Sequence, residues 1–248
     1  MSDAPAPVTL VNGEGRSPIL LLCEHASNHI PPGYARLGLA EAELQRHIAY
    51  DIGAAELARR LAARLDAPLL LAGYSRLLID LNRPLQAPSS IPEISEATVI
   101  PGNRGIDAAE RARRQEAWFA PFHDRVAGLL DARAAAGRRS VVIGVHSFTP
   151  VYLGQRRPWH AGILYGAARA FGGALVRGLA AEPGLVIGDN EPYRIEAAMD
   201  YTVPVHGDAR GLDAVLLEVR QDLLADAAGW EDWADRLARV LREAVAPP

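Results

Sequence analysis

Short apolar runs of strand length alternate with longer amphipathic segments along most of this 248-residue chain. Unbroken apolar runs are typical of strands that are covered on both faces of a sheet. Such runs occur at residues 18–23, 69–72, 77–81, 140–145, 161–165, 184–187 and 215–219. Between them, the spacing of apolar residues predicts helices over residues 41–65, 107–136, 167–181 and 230–245. Strands alternating with helices, without a repeat of fixed period, predict an α/β fold, a three-layer α/β/α sandwich.

The segments between the runs indicate how the chain is organised. The runs at 69–72 and 77–81 are split by the turn-like Gly73-Tyr74-Ser75, so we expect paired strands and a mixed, mostly parallel central sheet. We expect a single domain over residues 1–248, with about residues 1–15 flexible. Residues 84–105 contain four prolines. Loops of this length in compact domains are commonly functional lids.

Composition excludes several kinds of chemistry. All 26 basic residues are arginine, which excludes a Schiff-base lysine, a P-loop lysine and a lysine general base. The single cysteine, Cys23, rules out an intramolecular disulfide, and its apolar surroundings predict an inert buried thiol. A net charge of -4 argues against nucleic acid as a partner. Without a signal-peptide pattern or a long apolar stretch, we expect a cytoplasmic protein with no membrane span.

Two histidines directly follow predicted strands. His25 comes after the run at 18–23, and His146 after the run at 140–145. The carboxyl ends of strands are where open α/β sheets hold their active sites, and a neutral imidazole is a natural zinc ligand. The alternative is that both are structural histidines, but their parallel placement favours a metal site.

Carboxylates could complete such a site. Glu218 lies inside the run at 215–219, where a buried carboxylate needs a partner or a metal. Burial would raise its pKa towards the range of a general base; the alternative is a salt bridge with Arg220 or another arginine. His47 and Asp51 are four residues apart on the helix predicted over 41–65, so both could reach one ion or form a surface ion pair.

Other polar segments suggest substrate contacts. Asn82-Arg83 ends the run at 77–81, and an arginine there can bind a carboxylate or stabilise an oxyanion. His206 and Arg210 lie in a glycine-containing segment before the run at 215–219, which we expect to act as a substrate clamp. Arg76 and Arg194 are further candidates. The chain lacks the G-x-S-x-G, G-x-G-x-x-G and Walker sequences of serine hydrolases, dinucleotide-binding and nucleotide-binding proteins.

Six ordered blocks of sequence together resemble one family. They are C-E-H-A-S-N-H-I-P-P at 23–32, H-I-A-Y-D-I-G-A at 47–54, S-R-L-L-I-D-L-N-R-P at 75–84, G-V-H-S-F-T-P at 144–150, G-D-N-E-P-Y at 188–193, and H-G-D-A-R-G-L with L-E-V-R-Q-D-L-L within 206–224. They resemble the N-formylglutamate amidohydrolase family, over nearly the whole chain from about residue 18. The resemblance implies a zinc-carboxypeptidase-like fold, with metal on His25 and His146, Glu218 as general base, and substrate on Asn82 and Arg83.

The second metal ligand departs from the related carboxypeptidases, which use His-x-x-Glu. Here Asn28 stands three residues after His25. An anionic oxygen would keep a His-carboxylate-His site, so we expect Asp51 as that ligand, with Glu24 as the alternative. One divalent ion is expected; zinc is favoured, although imidazole and carboxylate suit several metals.

The resemblance implies a metal-dependent amidohydrolase that converts N-formyl-L-glutamate to formate and L-glutamate. Two alternatives stay open. One is a related N-acyl amino-acid deacylase or small carboxypeptidase, which the size of the pocket beside residues 84–105 would decide. The other is a metal-free protein that binds acidic amino-acid derivatives. The sequence leaves the oligomeric state open.

Overall fold

The computed structural model describes residues 4–246. Its strands are β1 Val8–Val11, β2 Ile19–Cys23, β3 Leu69–Ala72, β4 Ile94–Ser95, β5 Thr98–Val99, β6 Val141–Phe148, β7 Val151–Tyr152, β8 Gln155–Arg156, β9 Ala161–Tyr165, β10 Ile187–Asp189 and β11 Ala214–Arg220. Its helices are α1 Glu41–Leu44, α2 Ala54–Leu65, α3 Ala108–Arg114, α4 Ala120–Ala135, α5 Arg169–Ala180 and α6 Ala227–Val245. None of the helices within residues 4–246 has the length and apolar character that a membrane crossing requires.

Seven strands form the central sheet in the order β1-β3-β2-β6-β11-β9-β10. The four strands from β3 to β11 are mutually parallel. β1 is antiparallel to β3, and β9 is antiparallel to β11 while β10 follows β9 in parallel. The predicted mixed, mostly parallel sheet is therefore confirmed. β4 with β5 and β7 with β8 form two small separate hairpins.

Alternate side chains of the central strands enter two different cores. On β2, Ile19 and Leu21 face a core closed by α2, α5 and α6, whereas Leu20 and Leu22 face a core closed by α4 and residues 77–100. Each fully buried leucine stabilises the fold by roughly 1.5–3 kcal/mol. Covering both faces of the sheet produces the predicted three-layer sandwich.

The structure differs from the predicted strands at two places. Val8–Val11, within the segment expected to be flexible, pairs with β3 at the edge of the sheet. Residues 77–81 do not form a strand but a series of turns, in which Leu78 N–H donates to Ser75 O and Arg83 N–H to Asp80 O. Their apolar side chains fill the second core, and an apolar run alone does not distinguish a strand from such a buried segment. The mixed character of the sheet comes instead from β1 and β9.

The helix predicted over 41–65 is interrupted. α1 ends at Leu44, and α2 begins at Ala54 after Gly53, whose φ of +79° is left-handed. Asp51 N–H donates to His25 O at 3.0 Å. Residues 45–53 thus leave the helix to make a tertiary contact that helical periodicity does not reveal.

The helix predicted over 107–136 is present. Asp107 caps α3 by accepting a hydrogen bond from Glu110 N–H, and a π-helical turn at Gln115–Phe119 joins α3 to α4. Pro121, which lacks an N–H, follows this turn, where a wider helical turn absorbs the missing hydrogen bond. Gly137 ends the helix with a φ of +67°.

Candidate functional site

Three polar atoms from separate segments meet at the carboxyl ends of the central strands. His25 lies two residues beyond β2, Asp51 precedes α2, and His146 lies near the end of β6. The Asp51 Oδ2 atom is 3.2 Å from His25 Nδ1 and 2.9 Å from His146 Nδ1, and the two nitrogens are 3.2 Å apart. All three side chains are buried. The structure therefore brings together the three residues predicted as metal ligands.

A carboxylate lies behind each imidazole. His25 Nε2 is 2.8 Å from Asp80 Oδ1, and His146 Nε2 is 3.2 Å from Glu24 Oε2. Because an ionised carboxylate only accepts hydrogen bonds, His25 Nε2–H donates to Asp80; the His146 Nε2 and Glu24 Oε2 atoms face each other without a hydrogen bond to any described residue. Both Nδ1 atoms face Asp51 Oδ2 at hydrogen-bond distance, and carboxylates at the outer nitrogens orient histidines in this way in metal sites.

Glu24 thus contacts the outer nitrogen of His146, away from the three converging atoms. Its other oxygen, Oε1, accepts a hydrogen bond from the Thr202 hydroxyl. Burial alone would raise the pKa of Glu24, but His146 lowers it to about 2. This geometry favours Asp51 over Glu24 as the carboxylate of the cluster.

Arg76 contacts two of the carboxylates around the histidines. Its guanidinium donates to Asp80 Oδ2 at 2.6 Å and to Asp51 Oδ1 at 3.3 Å. Burial opposes ionisation of Asp80, yet Arg76 holds the pKa of Asp80 well below its usual value. Burial and Arg76 also act to lower the pKa of His25, but Asp80 and Asp51 raise it above the usual value. A metal ion here would therefore compete with protons.

Glu218 stands beside this cluster. On adjacent parallel strands it is the register partner of His146, and its Oε2 atom finds no hydrogen-bond partner within residues 4–246. Burial raises the pKa of Glu218 to about 7. The alternative was a salt bridge with Arg220 or another arginine; among the described residues Glu218 makes no such pair, and Arg220 pairs with Asp222.

A cavity of about 480 Å³ opens above these residues. Three rim loops surround it, which we define as residues 84–105, 149–157 and 190–201. The predicted lid, residues 84–105, contributes Ser89, Pro92 and Ile94–Glu96 to the wall. Glu96 fastens this loop to the segment after α1 by an ion pair to Arg46 at 2.7 Å, and it lies 3.3 Å from the Nε2 atom of His47, whose pKa is lowered by burial.

The predicted substrate-binding residues divide into two groups. Asn82, Arg83, Arg76 and Arg194 line the cavity. Arg83 donates through Nη1 to Asp200 Oδ1 at 2.8 Å and to Met199 O at 2.7 Å. Arg194 makes no ion pair within the described residues. Asn82 uses its Oδ1 to accept the backbone N–H of Thr202 at 2.9 Å.

The other group lies outside the cavity. His206 is buried in a π-helical turn, Thr202–Gly207, where its Nε2 lies 2.9 Å from His123 Nδ1. Arg210 forms an ion pair with Asp131. The segment 206–211 therefore does not form the predicted clamp, because His206 is buried against His123 and the exposed Arg210 pairs with Asp131. His47 lines the cavity but lies against Glu96 rather than joining Asp51.

Asp80, Thr202 and His123 were not predicted from the sequence, and the structure places their side chains behind the site. Asp80 stands two residues before Asn82 in the block 75–84, so a buried aspartate beside a site residue was a usable signal. Thr202 and His123 carried no such signal, because their contacts depend on how distant segments fold together.

The donor set fits a divalent cation. A tetrahedral ion with bonds of ~2.0–2.1 Å keeps its ligand atoms about 3.3–3.4 Å apart. The three atoms here are 2.9–3.2 Å apart, close to that spacing. Two imidazoles and one carboxylate are also the donors found in catalytic zinc sites.

Comparison with known proteins agrees with the fold and shows the family. The family model described as N-formylglutamate amidohydrolase matches residues 17–225. A solved structure of the Agrobacterium tumefaciens gene product Atu2144 is 39% identical, with a TM-score of 0.94, and the match covers 98% of this chain and 96% of the other. N-formylglutamate amidohydrolase from Ralstonia eutropha JMP134 is 17% identical, with a TM-score of 0.65 and 97% of each chain covered. No curated protein matches the chain by sequence.

Fold and site define an α/β/α protein with a polar cavity at the carboxyl ends of its parallel strands. The family match extends over most of this sheet and over every residue of the His25, Asp51 and His146 cluster. The chain belongs to the N-formylglutamate amidohydrolase family and is an amidohydrolase.

Proposed function

We propose that this protein is a metal-dependent amidohydrolase that cleaves N-formyl-L-glutamate to formate and L-glutamate. The observation that carries the proposal is the convergence of His25 Nδ1, His146 Nδ1 and Asp51 Oδ2, with Glu218 beside them. These three residues would hold the ion, for which zinc is the first candidate. A bound divalent ion would supply Lewis-acid activation of water and of the scissile carbonyl.

Glu218 moves the proton in this mechanism. With a pKa of about 7, its carboxylate takes a proton from the attacking water and then hands it to the leaving nitrogen. The buried and otherwise unpaired Oε2 atom is free to do so.

Arginines would orient the substrate. Arg83 makes its hydrogen bonds through Nη1, so Nε and Nη2 can donate to a substrate carboxylate. Arg194, which lacks an ion-pair partner among residues 4–246, would meet the second carboxylate. Asn82 would fix the segment that carries Arg83.

Formate release from N-formyl-L-glutamate tests the proposal. The purified protein is assayed as prepared, after chelation, and after zinc is added back. We expect release that chelation abolishes and zinc restores. Release that chelation leaves untouched contradicts the metal dependence. Absence of release from zinc-loaded protein contradicts the substrate.

A second candidate, an N-acyl amino-acid deacylase, is favoured by the rim of the cavity. The rim loops carry exposed large apolar side chains, namely Ile94, Val99, Val151, Tyr152, Leu153, Tyr193 and Met199. A cavity of about 480 Å³ could hold roughly 16 waters at ~30 Å³ each, and a substrate with a one-carbon acyl group would leave the rim uncovered.

A series of N-acetyl-, N-butyryl- and N-hexanoyl-L-glutamate separates the two candidates. Burial of a methylene contributes ~0.8 kcal/mol, so the deacylase candidate predicts that kcat/KM rises up to about fourfold for each added methylene. A fall along the series, with N-formyl-L-glutamate cleaved fastest, supports the formyl substrate.

A further inference from the structure

Two buried histidines lie behind the site and touch neither the cavity nor the three converging atoms. The rings of His123, on α4, and His206 lie with their centroids 5.2 Å apart and their planes 21° apart. His123 Nε2 lies 2.8 Å from Leu81 O, and His123 Nδ1 lies 2.9 Å from His206 Nε2.

These contacts fix the protons of the pair. A carbonyl oxygen can only accept, so His123 Nε2 carries a proton and donates it to Leu81 O. Burial lowers the pKa of His123 to about 3 and that of His206 to about 4, so both rings are neutral near pH 7. His123 Nδ1 is then an acceptor, and His206 Nε2–H donates to it.

The pair connects the two segments that support the metal-binding histidines. On one side, Leu81 adjoins Asp80, which contacts His25 Nε2. On the other, His206 shares a π-helical turn with Thr202, whose hydroxyl donates to Glu24, the partner of His146. The two segments are also joined directly, because Asn82 Oδ1 accepts a hydrogen bond from the Thr202 N–H at 2.9 Å.

We propose that the His123–His206 pair is a positioning element of the metal site, which holds in place the outer carboxylates of both candidate histidine ligands. This inference rests on the proposed metal site. Loss of an outer contact to a metal-binding histidine typically weakens metal affinity about 10–100-fold. Because it connects both outer carboxylates, the pair affects both histidines.

The test is the zinc affinity of variants, measured by competition with a chromophoric chelator, together with the visible spectrum of the cobalt-loaded protein. His206→Phe keeps a ring but removes the donor, and we expect affinity to fall about tenfold or more with an altered cobalt spectrum. His206→Gln restores a donor, and we expect affinity within about threefold of wild type. Should His206→Phe not fold, the smaller His206→Leu carries the same test.

Arg133→Met is the matched control. Arg133 is also buried and also donates to backbone carbonyls, those of Ser17 and Arg139, but at the opposite end of the strands. We expect this variant to lower the melting temperature and to leave zinc affinity and the cobalt spectrum unchanged. An effect of His206→Phe on melting temperature alone would reduce the pair to a packing role and overturn the inference.

A double variant tests whether His206 acts on the metal site through Thr202 and Glu24. Thr202→Val removes the hydroxyl that reaches Glu24, so its effect on zinc affinity should overlap with that of His206→Phe. We expect the double variant to lose less than the product of the two single losses. If the two losses of zinc affinity multiply fully, the proposed connection from His206 through Thr202 is overturned. If the wild-type protein binds no zinc, the proposed function itself is overturned. If wild type binds zinc and the His206 variants bind it equally well, only the inference about the histidine pair is overturned.

Discussion

At the scale of single residues, burial raises the pKa of Glu218 to about 7, which suits the general base proposed for it. Glu218→Gln keeps the shape of the side chain and removes the base. We expect bound metal to be retained and kcat to fall by a factor of about 100 or more, the usual range for loss of a general base. Metal analysis and steady-state kinetics on the same preparation measure both. Activity within tenfold of wild type would give the role to another group.

The same substitution should stabilise the metal-free protein. The ordinary pKa of 4.5 rises to about 7 in the folded state, so the folded protein holds a proton that the unfolded chain loses, and stability falls as pH rises between these values. In chelator-treated protein at pH 8, Glu218→Gln should gain on the order of 1–3 kcal/mol, a few degrees in melting temperature for a chain of this size. Near pH 4.5 the gain should disappear.

His206 responds to pH in the opposite direction. Its pKa falls from 6.5 to about 4 on folding, so only the unfolded chain gains a proton between these values, and this contribution to stability is lost as pH falls from about 6.5 to about 4. In chelated protein, the free energy of unfolding of wild type should therefore fall relative to His206→Gln over this window, by on the order of 2–3 kcal/mol. Denaturant titrations at several pH values measure this difference. A difference that stays constant would show that His206 is not held neutral.

At the scale of elements, Gly53 sets where α2 begins and how Asp51 enters the site. Its φ is +79°, and an added Cβ would lie 2.5 Å from Leu224 Cβ and 2.7 Å from Leu224 O. Left-handed backbone costs a non-glycine residue ~1–2 kcal/mol, and the overlap adds to that. We expect Gly53→Ala to lose about 3 kcal/mol or more of stability and to weaken metal affinity, because Asp51 lies two residues away.

Gly184→Ala is the control for this prediction. Gly184 has a φ of +82°, but no heavy atom lies within 4 Å of its added Cβ. We expect this variant to lose only the ~1–2 kcal/mol of stability that left-handed backbone costs a non-glycine residue, with metal affinity unchanged. Thermal unfolding and zinc titration of both variants would contradict this account if the two substitutions had equal effects.

The elements also show which features sequence can predict. The strands of 18–23, 140–145 and 215–219 were predictable because each is buried on both faces, so apolar character alone marks them. The break between α1 and α2 was not, because a tertiary hydrogen bond from Asp51 to His25 outweighs helical periodicity there. β1 was missed because an edge strand is only partly buried.

At the scale of the whole molecule, the parallel strands bring distant segments to one edge. His25, Asp51, His146 and Glu218 were predictable as site residues because each stands at or near the end of an apolar run or within a recognisable block. His206 and Arg210 were misplaced because His206 is buried against α4, while Arg210 forms a surface ion pair with Asp131; the contact between His123 and His206 joins α4 to a distant turn. Proximity along the chain gives no measure of such contacts.

The metal content of three proteins tests the central claim most directly. Wild type, Asp51→Ala and Glu24→Gln are purified, loaded with zinc, dialysed and analysed. Glu24→Gln is the matched control, because it alters the outer contact of His146 and leaves the three converging atoms in place. We expect one ion per chain in wild type, loss of the ion in Asp51→Ala, and weakened but measurable binding in Glu24→Gln. A full complement of zinc in Asp51→Ala, with none in Glu24→Gln, would contradict the assignment.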